Sequence, residues 1–122
     1  MARLKSNGIE ILRLTRETVK SGYTSGAELC LRYTVSIRSN GAIMIKRDHY
    51  WSDLDHKYKA GSWKRESKLP ASLWSKIDRV AWIEGKRIAL EARGYKIETP
   101  ESERADLYNY VACNYDRGGK LK

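Results

Sequence analysis

The stretch "ELCLRYTVSIRSNGAIMIKRDHYW", residues 28–51, decides the fold of this chain. From Leu29 to Arg38 it alternates without a break. Leu29, Leu31, Tyr33, Val35 and Ile37 point one way, and Cys30, Arg32, Thr34, Ser36 and Arg38 point the other. That period of two marks a half-buried strand. A second strand follows the tripeptide Ser39-Asn40-Gly41, and the length of the turn sets its register. A two-residue Asn-Gly loop would place Ile43 and Ile45 on the polar face. A three-residue loop, with Gly41 as a left-handed bulge, pairs Ile37 with Ile43 and Val35 with Ile45. It also pairs Thr34 with Lys46, Arg32 with Asp48 and Leu31 with His49. A one-residue slip exposes both isoleucines, so the three-residue loop is expected.

Working outward, Ser6-Asn7-Gly8 repeats the turn signal and predicts a shorter first hairpin from "MARLK" and "IEILRLTRET". The Gly/Ser-rich segment 19–27 reads as a connection. "HKYKAGSWKRES", residues 56–67, reads as a weaker strand in which Gly61 marks a bulge or bend. Residues 70–94 then read as one helix, started by Pro70 and ended by Gly94. Leu73, Trp74, Ile77, Val80, Ala81 and Ile88 supply its apolar stripe. Glu84 falls inside that stripe, and Trp82 lies on the opposite side with Arg79, Lys86 and Arg93. A second helix is expected after Pro100, capped by Thr99, with Glu101 and Glu103 in its first turn and Leu107, Tyr108, Val111 and Tyr115 on its apolar face. The sum is an α+β domain: an antiparallel β-meander of four to five strands packed against two C-terminal helices. One domain over residues 1–122 is expected, with a β-rich basic half (1–69), a helical half (70–117) and a flexible tail (118–122).

A chain of 122 residues can bury a core without a metal or disulfide. Its net charge is +9. Residues 1–69 hold 14 Lys+Arg against 7 Asp+Glu, and residues 70–122 hold 10 against 8, so most of the excess lies in the first half. Such a field favours nucleic acid, anionic lipid headgroups or an acidic protein face. No apolar run suits a signal peptide or membrane span. With Cys30 and Cys113 far apart and in no metal motif, a reduced, cytoplasmic setting and no membrane partner are expected.

Four kinds of chemistry are open to residues of these types. His49, Asp53, Asp55 and His56 cluster like metal ligands, but a calcium loop starting at Asp53 would continue through Lys57, Tyr58 and Lys64, which are not ligands. No metal or other cofactor is therefore expected. Glu84-Gly85-Lys86 has the acid-x-Lys spacing of some metal-dependent nucleases, with Asp78 upstream. On a helix those two carboxylates point about 120° apart. No phosphate-binding glycine loop occurs. What remains is a basic-aromatic stretch. Arg32, Arg38, Lys46, Arg47, Lys57, Lys59, Lys64 and Arg65 interleave with Tyr50, Tyr58 and Trp63, a composition that suits phosphates and unpaired bases. Trp82, with Arg79 and Lys86, is a second candidate, for a protein interface, the alternative being that its indole packs against a neighbouring strand or the second helix.

The segments "MARLKSNGIEILRLTRET", "SIRSNGAIMIKRD" and "SWKRESKL" resemble a type of short phage accessory protein with no established activity. The resemblance covers roughly the first half and implies action by binding host machinery or nucleic acid. The leading expectation is a small, non-enzymatic, basic protein that contacts nucleic acid or a nucleoprotein complex. The alternatives are an anti-defence or host-takeover inhibitor (of a CRISPR effector, for example) docking on a host protein, and a small metal-dependent nuclease.

Overall fold

The computed structural model describes residues 9–21, 27–52, 57–73 and 78–114. Its strands are β1 (Glu10–Lys20), β2 (Leu29–Arg38), β3 (Ile43–Trp51), β4 (Trp63–Ser67) and β5 (Lys96–Ile97). Two helices, α1 (Arg79–Ala92) and α2 (Glu101–Asn114), complete the α+β architecture that the sequence predicts. The sheet order is β4-β3-β2-β1-β5, with every neighbouring pair antiparallel.

The β2–β3 hairpin has the register set by the three-residue loop. Ile37 faces Ile43, Val35 faces Ile45, Arg32 faces Asp48 and Leu31 faces His49. Gly41 sits at φ +86°, and its N–H donates to Arg38 O at 3.0 Å. The Asn40 Oδ1 accepts from Ala42 N at 3.1 Å. The loop thus holds its own backbone polar groups. On its outer side the buried Ser39 trades hydrogen bonds with Ile9 of the chain leading into β1. The turn Ser6-Asn7-Gly8 and the first strand of the predicted hairpin lie outside the described residues, as do Trp74, Ile77, Tyr115 and the tail, while its second strand is β1.

β1 pairs along the whole of β2, with a bulge between Glu10 and Leu12. The bulge puts Ile11 and Leu12 both inside, at 1% and 0% exposure. The fifth strand arises where a connection was expected: Lys96–Ile97 pairs with Thr15 and Leu14 on the outer edge of β1. Glu98 N donates to Arg13 O, and Thr15 Oγ1 donates to Glu98 Oε1, so a two-residue strand is tied down by bonds just beyond it. Thr99, expected to cap α2, instead accepts a hydrogen bond from Arg13 N on β1.

Two expectations for α1 need correction. The helix begins after Asp78, not at Pro70; the Asp78 carboxylate accepts from Val80 N and Ala81 N and caps it. Residues 71–73 form only a 3₁₀ turn, closed by Leu73 N donating to Pro70 O. The buried apolar residues of α1 are Ile83 and Leu90; of the predicted stripe Val80 packs partly buried against the core, but Ala81 is exposed, Ile88 is 55% exposed and Leu73 is 37% exposed. A stripe drawn through Leu73 and Ile77 carries the wrong phase, because the extended backbone of Asp78 breaks the helical count before Arg79. Trp82, off the predicted stripe, packs against the core, and its indole N–H donates to Gly41 O at 3.3 Å. The helix therefore buttresses the hairpin turn through Trp82.

The core joins Leu12, Leu14, Val35, Ile37 and Ile43 of the sheet to Ile83, Leu90, Tyr95 and Val111. Each fully buried aliphatic side chain contributes about 1.5–3 kcal/mol. Leu107, Tyr108 and Tyr110 bring α2 onto the same cluster. By the strand register, the helices cover the face that carries Val35 and Ile37, near the turn end of the hairpin.

Candidate functional site

Alternation along β2, β3 and β4 divides the predicted basic-aromatic residues between two sheet faces. Arg32, Lys46, Tyr50, Trp63 and Arg65 share the face away from the helices, with Arg38 near its turn end; Arg47 and Lys64 lie on the helix side. Lys59 bridges to His49, which places it with Arg47. Lys57 is exposed, and Asp53, Asp55 and His56 lie outside the described residues.

The face away from the helices is occupied with itself. Asp48, 1% exposed, is its hub. The Arg32 guanidinium donates to Asp48 Oδ2 at 3.0 Å, Lys46 Nζ lies 3.9 Å from the same oxygen, and Gly61 N donates to Oδ1 at 2.9 Å. Burial raises the Asp48 pKa, but Gly61, Arg32 and Lys46 outweigh it and hold the carboxyl below its ordinary 3.8. The rings are engaged as well. Arg32 lies 4.3 Å from the Tyr58 centroid and Lys46 lies 5.2 Å from that of Trp63. Tyr50 and Tyr58 meet edge to face at 4.8 Å. Burial, then the Glu17 carboxylate, pushes the Tyr58 hydroxyl above its usual value. The sequence signal in these residues thus came largely from an internally paired polar layer.

The helix side differs beyond the reach of the helices. There Tyr33, Ile45, Arg47, His49, Gly61, Ser62 and Lys64 line a cleft of about 450 Å³. Gly61 shapes it, because a Cβ there would lie 2.0 Å from Arg47 O: the chain entering β4 runs directly against β3. Arg47, Lys59 and Lys64 are exposed, and none pairs with a carboxylate among the described residues. Behind Tyr33 stands Arg16, 5.3 Å from that ring and 4.8 Å from the ring of Tyr95. Its Nη1 donates to the Arg93 carbonyl at 3.2 Å. Arg16 and Tyr33 were not singled out from the sequence, since only the β1–β2 register and the return of the chain at Tyr95 bring them together.

The second predicted surface is not assembled as an exposed anchor. Trp82 is packed, Arg79 is 7% exposed, and Lys86 lies over the Trp82 ring at 4.4 Å. The carboxylates of the nuclease-like spacing have structural partners: Asp78 caps α1, while Glu84 accepts from both Arg87 and the Tyr108 hydroxyl. Arg87 also reaches Glu91 at 2.7 Å. The Arg87 guanidinium lowers the Glu84 pKa, burial partly opposes it, and the Tyr108 hydroxyl adds a smaller lowering. Burial, then Glu84, pushes the Tyr108 hydroxyl up to about 12. This pair should brace the helices over a defined pH range. A raised folded-state value means that Tyr108 contributes fully below the ordinary tyrosine value of 10.0, and that the contribution is lost as pH rises through about 12. Chemical denaturation of wild type and Tyr108→Phe at pH 8 and pH 12 should show a gap of about 1 kcal/mol at pH 8 that narrows at pH 12.

Cys30 and Cys113 are free thiols, the first buried and the second exposed. No helix among the described residues is long and apolar enough to cross a membrane. No protein-family model, curated protein or solved structure matches the chain.

Proposed function

We propose that this chain is a non-enzymatic nucleic-acid-binding protein that holds the phosphate backbone at the open end of its sheet, through Arg47, Lys59 and Lys64. One observation carries the reading. These three exposed cations have no carboxylate partner among the described residues, whereas Arg32 and Lys46 on the opposite face are drawn onto Asp48. A cation already paired inside the protein gains little from a phosphate, while an unpaired one displaces counterions and binds. The overall charge of +9 adds a long-range field of the same sign. The phage-type resemblance of the first half supports the same reading, because accessory proteins of that kind commonly act by binding.

Fluorescence anisotropy with single-stranded DNA, duplex DNA and RNA across a salt series tests this. Binding should weaken steeply with salt. Changing Arg47, Lys59 and Lys64 together to Ala should flatten the log–log slope by about 2–3, at roughly 0.7–0.9 for each phosphate no longer neutralised. Changing Arg32 and Lys46, which are held by Asp48, should move it less. Absence of binding to every probe at low salt would refute the reading and turn attention to a host protein as partner.

A further inference from the structure

We infer that the cleft takes one unpaired nucleotide of a single strand, with its base against Tyr33 and its flanking phosphates on Arg47 and Lys64. The inference rests on the nucleic-acid reading above and names which form of nucleic acid is bound.

The size of the cleft is the first support. About 450 Å³ lies at the small end of ligand pockets and suits a nucleotide. A duplex presents its bases stacked and paired, so it meets only the rim. The chemistry of the walls is the second. A site for phosphate alone needs only cations, yet this one carries the Tyr33 ring and the imidazole of His49 beside them. In the register Tyr33 lies directly across from Arg47, and Ile45, the residue before Lys46, lies directly across from Lys64. One aromatic ring on β2 thus faces a cation on β3, and a second cation, Lys64, lies on the same face one strand further out beside the aliphatic Ile45, so base and backbone of one strand can be held together. Rigidity is the third. Arg16 is lodged between Tyr33 and Tyr95 and tied to a carbonyl, which holds Tyr33 in place before any ligand arrives. A preset platform loses less freedom on binding. Ser62, exposed on the rim, offers a hydroxyl to a base edge or sugar.

The test uses the full chain with labelled 12-nucleotide oligo(dT), oligo(rU), a 12-base-pair duplex and heparin at one salt concentration. Single strands should bind about tenfold more tightly than duplex of equal length. Tyr33→Leu should cost the single strands about tenfold, the scale of one lost base stack, and leave heparin within twofold. Comparing the two single strands tells which sugar is preferred. Because Tyr33 also touches Arg16, its replacement disturbs the fold locally, so Ser62→Leu serves beside it: the added bulk enters the cleft from the rim, removes no charge and should weaken single-strand binding selectively. Photocrosslinking of a 5-iodouracil strand should label Tyr33. Equal affinity for single strand and duplex, equal losses on all probes, or crosslinks confined to Tyr50, Tyr58 or Trp63 would overturn the inference while leaving phosphate binding intact. No binding by any probe would overturn both.

Discussion

Gly41→Ala should destabilise the protein by at least about 3 kcal/mol, read as a fall in the urea midpoint at unchanged slope. Two costs add. At φ +86° an L side chain enters the left-handed region, worth about 1–2 kcal/mol. The new Cβ would also stand 2.4 Å from Leu69 Cβ, far inside the 3.5–4.0 Å of ordinary carbon contact. Leu69 is 1% exposed and Trp82 bonds to Gly41 O, so neither side of the turn can withdraw cheaply. Gly85→Ala is the contrasting change. It sits on the exposed side of α1 with nothing within 4 Å of its added Cβ, and should stabilise by about 0.5–1 kcal/mol. If both variants moved the midpoint the same way, the structural account of the turn would fail.

Asp48→Asn should cost about 2–4 kcal/mol at pH 7. Removing one member of a buried ion pair typically costs about 3–5 kcal/mol because the other charge is stranded. Here the Arg32 side chain is 39% exposed and water takes up part of that burden, which moves the expectation to the lower end. The amide keeps an acceptor for Gly61 N–H but loses the attraction to Arg32 and Lys46. The sign of the pH dependence follows from the lowered Asp48 pKa. Its contribution is complete above the ordinary value of 3.8 and is lost as pH falls through the lower folded-state value. Wild type and Asp48→Asn should therefore differ at pH 7 and converge in acid, as measured by denaturation at a series of pH values. A gap that stays constant down through that range would show that the carboxylate charge is not what stabilises the network. Because a neutral amide oxygen is a weaker acceptor than the carboxylate that now holds Gly61 at the rim of the cleft, the variant should also speed amide exchange at Gly61.

The hairpin was legible in one dimension because a period of two admits only two faces, and only one turn length puts Ile43 and Ile45 on the same face as Val35 and Ile37. The helical half was less so. A period of 3.6 gives a buried face only if the start of the helix is known. Asp78, extended and capping, sets that start, which Pro70 as an earlier start signal concealed. The phase error that follows put Ile88 on the buried face, where the structure leaves it exposed.

The candidate site shows the same division. Composition and alternation determined that the chain is basic, that its first half is sheet, and which residues stand opposite one another across β2 and β3. They did not determine which cations remain unpaired. That depended on which side of the sheet each element crosses and where the chain returns: Asp48 meeting Gly61 and Arg32 on one face, and β4 running against Arg47 to leave a cleft on the other. Local propensity acts over neighbouring residues and can be read from their order. Charge pairing and cleft shape arise from groups brought together across the sheet, and only the tertiary structure decides them.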